Sequence, residues 1–455
     1  MAVAVSRKRR IAFAWGGARR QLLAFAGVSL AFAALASVTA VKTPAWEGND
    51  EPSHVQNVET LAAGHWYRIP TNFRAHHTPG LLIGPGFAVE LHQPPLYYLL
   101  LAGWQRLSGQ PPRPVNPGPA RLFTPSGLYL HHSAADHRFL LLLRFPNIVL
   151  GLLTIWLTFL TARLLSRGTW VPVLAAAIVA FMPRFVFVSA FVTNDNLVNT
   201  LGAGVAYAAV RASATRTAAW IAAVGAVLGL LVITKLSALP AVIVLIPLVL
   251  MRKGWIVRAK AVGAAIAPIL LIGGWYLVQN QVRYGDPLTA AATSHYLAPI
   301  GGLGSFGPYV VHNPLQLVFA GVPSKIFARF WYSSMFPPFS WPALANSVFW
   351  VALVLSLAGL LRLSSSIRRV TEFRHQLTVL LTLVVAAFAS VWIVAFKTDA
   401  YDPRLALIGL PTLACFAALG LSRWRLSLAL ALPLLELGGT LVAIQQSVLS
   451  VPWSH

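Results

Sequence analysis

The chain has 455 residues, 57% of them apolar and only 10% charged, with 15 tryptophans and a mean hydropathy of +0.68. That balance excludes an ordinary soluble globular domain and fits a membrane protein of many spans. The 35 Lys and Arg against 12 Asp and Glu give a net charge of +23, which here marks loops beside anionic headgroups and excludes a nucleic-acid surface, while a lone Cys415 excludes an internal disulfide or a cysteine metal site.

Residues 1–20 form a basic tail carrying Arg7, Lys8, Arg9, Arg10, Arg19 and Arg20. The apolar run 21–41 behind it resembles a secretory signal. About 20 apolar residues suffice to cross a bilayer, however, and more such runs follow, so an uncleaved anchor with a cytoplasmic N-terminus is expected. Further runs fall at 139–160, 170–189, 196–210, 218–234, 238–251, 261–279, 343–361, 376–396, 404–421 and 426–446. The expected fold is all-α and polytopic, with about eleven transmembrane helices. Region 218–251 as one helix would be about 50 Å long at 1.5 Å per residue, so a break is placed between Lys235 and Pro240.

Threaded from a cytoplasmic N-terminus, 20 of the 35 basic residues fall in the tail and in short inner loops, at Arg163 and Arg167, Arg211 and Arg216, Arg252 to Lys260, Arg362 to Arg374, and Arg423 and Arg425. Ten of the twelve acids fall outside, leaving Glu372 inside and Glu436 within the last span. Two outer loops are long, 42–138 and 280–342, and loops of that length are usually functional. In the first, a helix is expected from Pro52, with Asp50 or Glu51 as its cap, Val55, Val58 and Ala62 on one face and Gly64 as terminator. A second helix should open at Pro94-Pro95 and run Leu96 to Trp104, too short to span and suited to the interface. No internal repeat is visible, so 21–455 reads as one transmembrane domain.

Chemistry concentrates at the outer membrane boundary. Trp46-Glu47-Gly48-Asn49-Asp50-Glu51-Pro52-Ser53-His54 packs carboxylates directly behind the first span. If Asp50 begins the helix, it and His54 lie one turn apart, and Asp50 could act as a general base; plain helix capping explains it equally well. One His beside two carboxylates lacks the zinc-protease pattern, so no metal site is assigned, although a divalent metal is not excluded. Thr193-Asn194-Asp195-Asn196 puts a second carboxylate at a boundary on the same side, with helix capping as its ordinary role. Lys235, Arg283 in Arg283-Tyr284-Gly285-Asp286-Pro287, and Arg404 behind Tyr401-Asp402-Pro403 are cations near span ends. They suit a phosphate group, or snorkel to lipid headgroups.

The ordered set of Asp-Glu after the first span, Pro94 to Tyr98, Asn194-Asp195, Thr234-Lys235, Tyr284 to Pro287 and Arg404 resembles the GT-C membrane glycosyltransferases over about 21–421. It is most similar to the protein O-mannosyltransferase and aminoarabinose transferase lineage, and to bacterial relatives beginning Asp-Glu-Pro-x-His. The resemblance implies inverting transfer of a sugar from a polyprenyl-phosphate carrier to a glycan, lipid or protein acceptor at the extracytoplasmic face, without a cofactor. It implies Asp50 as base, supported by Glu51 and His54. Asp195 becomes the second acid, and Lys235, Arg283 and Arg404 the carrier-phosphate candidates. His92, Tyr97, Asn194 and Asp286 complete the candidate substrate-binding residues. Arg404 follows Asp402-Pro403 where the family usually has Arg-Tyr. The rival readings are a transporter or flippase of lipid-linked sugars, for which mid-membrane ionisable groups beyond Glu436 and internal repeats would speak, and a non-catalytic envelope-assembly protein.

Overall fold

The structure is a computed structural model that describes residues 2–48, 50–69, 90–113, 115, 133–166, 170–297, 313–331, 343–362, 371–396, 402–424 and 426–449. Among the described residues the regular structure is entirely helical. Of the charged residues sorted by the threading, Arg167, Arg368, Arg369, Asp399 and Arg425 lie outside them.

The first helix, α1 (Ala2–Lys42), ends in a turn that delivers α2 (Glu51–Ala62), and α3 (Leu96–Leu107) follows. The bundle is then built by α4 (Ala134–Leu165), α5 (Val171–Phe181), α6 (Pro183–Ser189), α7 (Asp195–Thr215) and α8 (Ala218–Val232). A 3-10 segment, Leu236–Val244, runs into α9 (Leu245–Leu250), and α10 (Trp255–Ile269) runs through a π turn into α11 (Trp275–Tyr284). Shorter helices α12 (Ala290–Leu297), α13 (Pro314–Gln316) and α14 (Val322–Arg329) precede α15 (Ala343–Arg362) and α16 (Thr371–Ala395). A 3-10 entry, Pro403–Gly409, leads into α17 (Leu410–Leu421), and α18 (Leu426–Ile444) follows.

All eleven expected apolar runs lie on helical backbone, but not as eleven full-length spans. Five described helices are long and apolar enough to cross a membrane, or six if a bent pair counts as one. The bent pair corrects the expected 170–189 span: α5 and α6 meet at 66°. Pro183 lacks an N–H and drives Met182 into extended backbone, so the helix cannot continue. A break follows α8, but it falls at Ile233 to Lys235, ahead of the expected interval from Lys235 to Pro240, which a 3-10 helix fills. The 3-10 start of the next segment adds length, since a rise of about 2 Å per residue over nine residues plus about 1.5 Å over six reaches roughly 27 Å. Within α10, Pro268 removes a helical hydrogen bond and the chain widens into the π turn Leu270–Gly274. Gly225 is required where α8 meets α10, because a Cβ there would collide with the Ala265 carbonyl.

Two apolar clusters organise the molecule. The larger joins α1, α4 to α8, α10 and α15 to α17 into the bundle core. A second sits at one end, where Trp46, Val55, Val58, Tyr67, Tyr97, Tyr98 and Leu101 pack on Phe139, Leu140, Leu143 and Leu197. Every residue of α2 is buried, polar ones included, which exceeds the one-faced burial expected for it. The α3 helix is two-faced: Tyr97, Tyr98 and Leu101 are buried while Leu99, Leu100, Trp104 and Leu107 are exposed. That is the pattern of an interfacial helix.

Candidate active site

The turn joining α1 to α2 aims Asp50. Trp46 and Asp50 both hold positive φ, at 71° and 54°. Aspartate tolerates the left-handed region, whereas a bulky tryptophan there is strained and is kept in place by burial. Gly48 lies between them because a Cβ would stand 2.9 Å from both the Glu51 carboxyl and the Phe191 ring. The Asp50 carbonyl opens α2 by accepting from the Ser53 and His54 amides, so its side chain is not used as a cap. The carboxylate instead accepts from Arg404 Nη2 at 2.6 Å.

Around this pair the chain closes a polar network. Asp195, the first residue of α7, accepts from Lys235 Nζ at 2.6 Å and faces Arg404 Nε at 3.5 Å. Lys235 also donates to Asn194 Oδ1 at 3.2 Å, and the Asn194 amide donates to Gln93 Oε1 at 3.0 Å. Gln93 in turn donates to Glu90 Oε2 at 2.7 Å. Asp50, His54 and Glu90 each present a ligand atom, all within 4.8 Å of one another, and His54 Nδ1 contacts the Tyr98 hydroxyl at 2.8 Å. Two features explain why Lys235 arrives here: α8 runs back along α7, and its break is pinned by the Leu96 amide donating to the Ile233 carbonyl at 2.9 Å. Burial pushes the His54 imidazole below its ordinary value, against the pull of Glu90 and Asp50. Burial resists ionisation of Glu90, but His54, His92, Lys235 and Arg404 outweigh it and hold this carboxyl below the usual range.

The structure therefore gathers Asp50, His54, Asn194, Asp195, Lys235 and Arg404. It does not gather all the expected residues. Glu51 is fully buried and turned away, gripped by Arg144 through two contacts of 2.6 and 2.9 Å, so it supports the turn and does not face the cleft. The Tyr97 hydroxyl is spent on Asn147 Oδ1 at 2.7 Å, inside the packing. Asp286 accepts from the Leu288 and Ala291 amides and so shapes the entry to α12. Arg283 makes no ion pair with Asp50 or Asp195 among the described residues and lines a neighbouring cavity with His92, Tyr67, Tyr276 and Tyr284.

Four contributors escaped the sequence. Glu90 and Gln93 lie in an irregular stretch with no periodic signal. Arg144 and Arg184 carried one, being cations inside the apolar runs 139–160 and 170–189, where a charge demands a partner. Arg144 also donates to the carbonyls of Ala40, Thr43 and Pro44, closing the C-terminus of α1. Arg184 pairs with Asp402 at 2.7 Å, and Asp402 accepts from the Arg404 amide at 2.7 Å. Glu436 is thus not alone among buried ionisable groups; it is fully buried in α18, and neither carboxyl oxygen has a hydrogen-bond partner among the described residues.

Comparison with known proteins bears on the fold. A family model described as dolichyl-phosphate-mannose-protein mannosyltransferase matches residues 139–275. No curated protein matches the chain. Among solved structures, the chain is similar to ArnT from Cupriavidus metallidurans bound to undecaprenyl phosphate, with a TM-score of 0.50 and 16% identity over 93% of this chain and 62% of that one. The apo form of that protein gives a TM-score of 0.50 and 16% identity, over 90% and 60% of the two chains. The chain thus spans about three fifths of the length of these structures. The fold resembles that of the GT-C membrane glycosyltransferases.

Proposed function

We propose that the chain is a membrane glycosyltransferase that moves a sugar from a polyprenyl-phosphate carrier to an acceptor hydroxyl or amide, with inversion at the anomeric carbon. The observation that carries this reading is the meeting of Asp50, Asp195, Lys235 and Arg404 at one mouth of the bundle, although they are supplied by four distant parts of the chain. Asp50 takes the proton of the attacking acceptor. Lys235 and Arg404 take up the charge that develops on the departing phosphate, acting as preorganised electrostatic stabilisers. That the similar ArnT structure holds undecaprenyl phosphate supports a lipid-phosphate carrier. The reaction as written uses no cofactor. Asp50, His54 and Glu90 are also a donor set suited to a small divalent cation, which would neutralise phosphate charge when bound. In the membrane, the N-terminus lies in the cytoplasm and the site faces outward.

The test is transfer from labelled polyprenyl-phosphate sugars to a panel of glycan, lipid and peptide acceptors by the purified protein. Asp50→Asn should lower turnover by about 10²–10⁴-fold, the usual worth of a positioned base, with thermal unfolding unchanged. Undiminished turnover would remove Asp50 from the reaction.

A further inference from the structure

Each cation at the mouth is already matched by a carboxylate: Arg404 by Asp50, Lys235 by Asp195, and Arg184 by Asp402. With the Glu90 carboxylate also present, the set carries more negative than positive charge before any phosphate arrives, so an anion is held only if one of these pairs opens. The three pairs are not equally able to do so. Arg184 is moored further by its main-chain contacts to the Arg329 and Trp331 carbonyls. Lys235 and Asp195 are almost wholly buried, at 8% and 4% exposure. The Asp50 and Arg404 side chains are the more accessible, at 26% and 16%, and Arg404 Nη1 is left without a partner among the described residues. Among the three, this pair is the one a ligand can part.

We infer that the Asp50–Arg404 ion pair is a latch, in which the carrier phosphate and the Asp50 carboxylate compete for one guanidinium, so that the base becomes available only once the donor is bound. This rests on the proposed transfer reaction and adds an order to it. While the pair is closed, the Asp50 oxygen that would take a proton is occupied by the Arg404 N–H at 2.6 Å. When a phosphate draws the guanidinium away, the carboxylate turns to the acceptor. The acceptor oxygen then bonds to the anomeric carbon, the bond from that carbon to the phosphate oxygen breaks with its electron pair leaving on the phosphate, and the acceptor proton passes to Asp50. At that moment the phosphate has gained a negative charge and Asp50 has lost one, so Arg404 has no reason to return until the product carrier departs. Water reaching the site without a donor meets an occupied carboxylate.

The test is equilibrium binding of a polyprenyl phosphate, and of the corresponding uncharged polyprenol, to the full chain in nanodiscs. Asn keeps the left-handed backbone of position 50, so Asp50→Asn opens the latch without disturbing the turn, and thermal unfolding checks that it has not. Removing the competing closed state should tighten phosphate binding by roughly three- to tenfold, since the apparent affinity rises with the fraction of competent protein. Polyprenol binding should not change. Arg404→Ala should weaken phosphate binding, and the double variant should bind no better than Arg404→Ala alone. Equal or weaker phosphate binding by a folded Asp50→Asn overturns the latch and leaves the carrier assignment standing. Failure of the unaltered protein to prefer phosphate over alcohol overturns the carrier assignment itself, and the latch with it.

Discussion

Asp50 and Glu51 are neighbours in the chain and opposites in situation. One is half-buried and paired with a cation that another ligand can claim; the other is sealed inside, sharing Arg144 with three main-chain carbonyls and accepting from the Val192 amide at 3.1 Å. Removing one partner of such a buried pair strands the other charge. Glu51→Ala should therefore destabilise the protein by about 3–5 kcal/mol, seen as a lower midpoint of thermal unfolding in detergent, with the loss of transfer tracking the loss of folded protein. Normal unfolding with abolished transfer would return Glu51 to the chemistry. Sequence alone could not separate the two residues, because both are acids at the same boundary and what distinguishes them is an arginine 93 positions away. Asp195, Lys235 and Arg404 were legible for the opposite reason: charge is scarce in an apolar chain, and each stands at the end of a run. Arg283 satisfied the same criterion and stands elsewhere, since a run end specifies depth along the bundle and says nothing of the side it faces.

At the level of elements, α2 and α3 form a pair whose polar contacts are as buried as its apolar ones. Glu59 of α2 reaches out of the helix to accept the Arg113 amide at 2.6 Å, holding the chain that leaves α3. Burial pushes the Glu59 carboxyl up to about 7, with the Arg113 N–H working against it. A carboxyl whose folded value lies above its unfolded one favours the fold while protonated. Its stabilising contribution is complete below the ordinary carboxylate range and is lost as pH rises through about 7. Thermal stability should accordingly fall between pH 5 and pH 8, and Glu59→Gln should flatten that fall; an identical profile in the variant would show that other groups set it. The helices themselves were readable from Pro52, Pro94-Pro95 and Gly64, which has φ 86°. The complete burial of α2 was not, because it carries Gln56, Asn57, Glu59 and Thr60 at positions that periodicity assigns to water.

For the whole molecule, run length and the placement of acid and base were enough to predict an all-helical bundle; that Asp50, Asp195, Lys235 and Arg404 meet is what the structure adds. The bend at Met182 and the shortened segments around the Lys235 break were less accessible, since hydropathy registers apolar length and not direction. The proposed orientation can be checked because Cys415 is buried and so silent to reagents. Cysteines introduced at the exposed positions His65 and Thr217 should label from opposite sides of sealed vesicles, His65→Cys from the extracytoplasmic side; labelling of both from one side would refute the threading. The long segments 42–138 and 280–342 are each held near one end by an arginine, the first by Arg144 at the end of α1 and the second by Arg184 at the Arg329 and Trp331 carbonyls. Apart from the Glu51 carboxylate that Arg144 also holds, those anchors grip main chain, so they place no demand on the other side chains the anchored segments carry. Under the proposed transfer reaction, the parts of these segments that meet an acceptor can therefore change without loosening the frame beneath them.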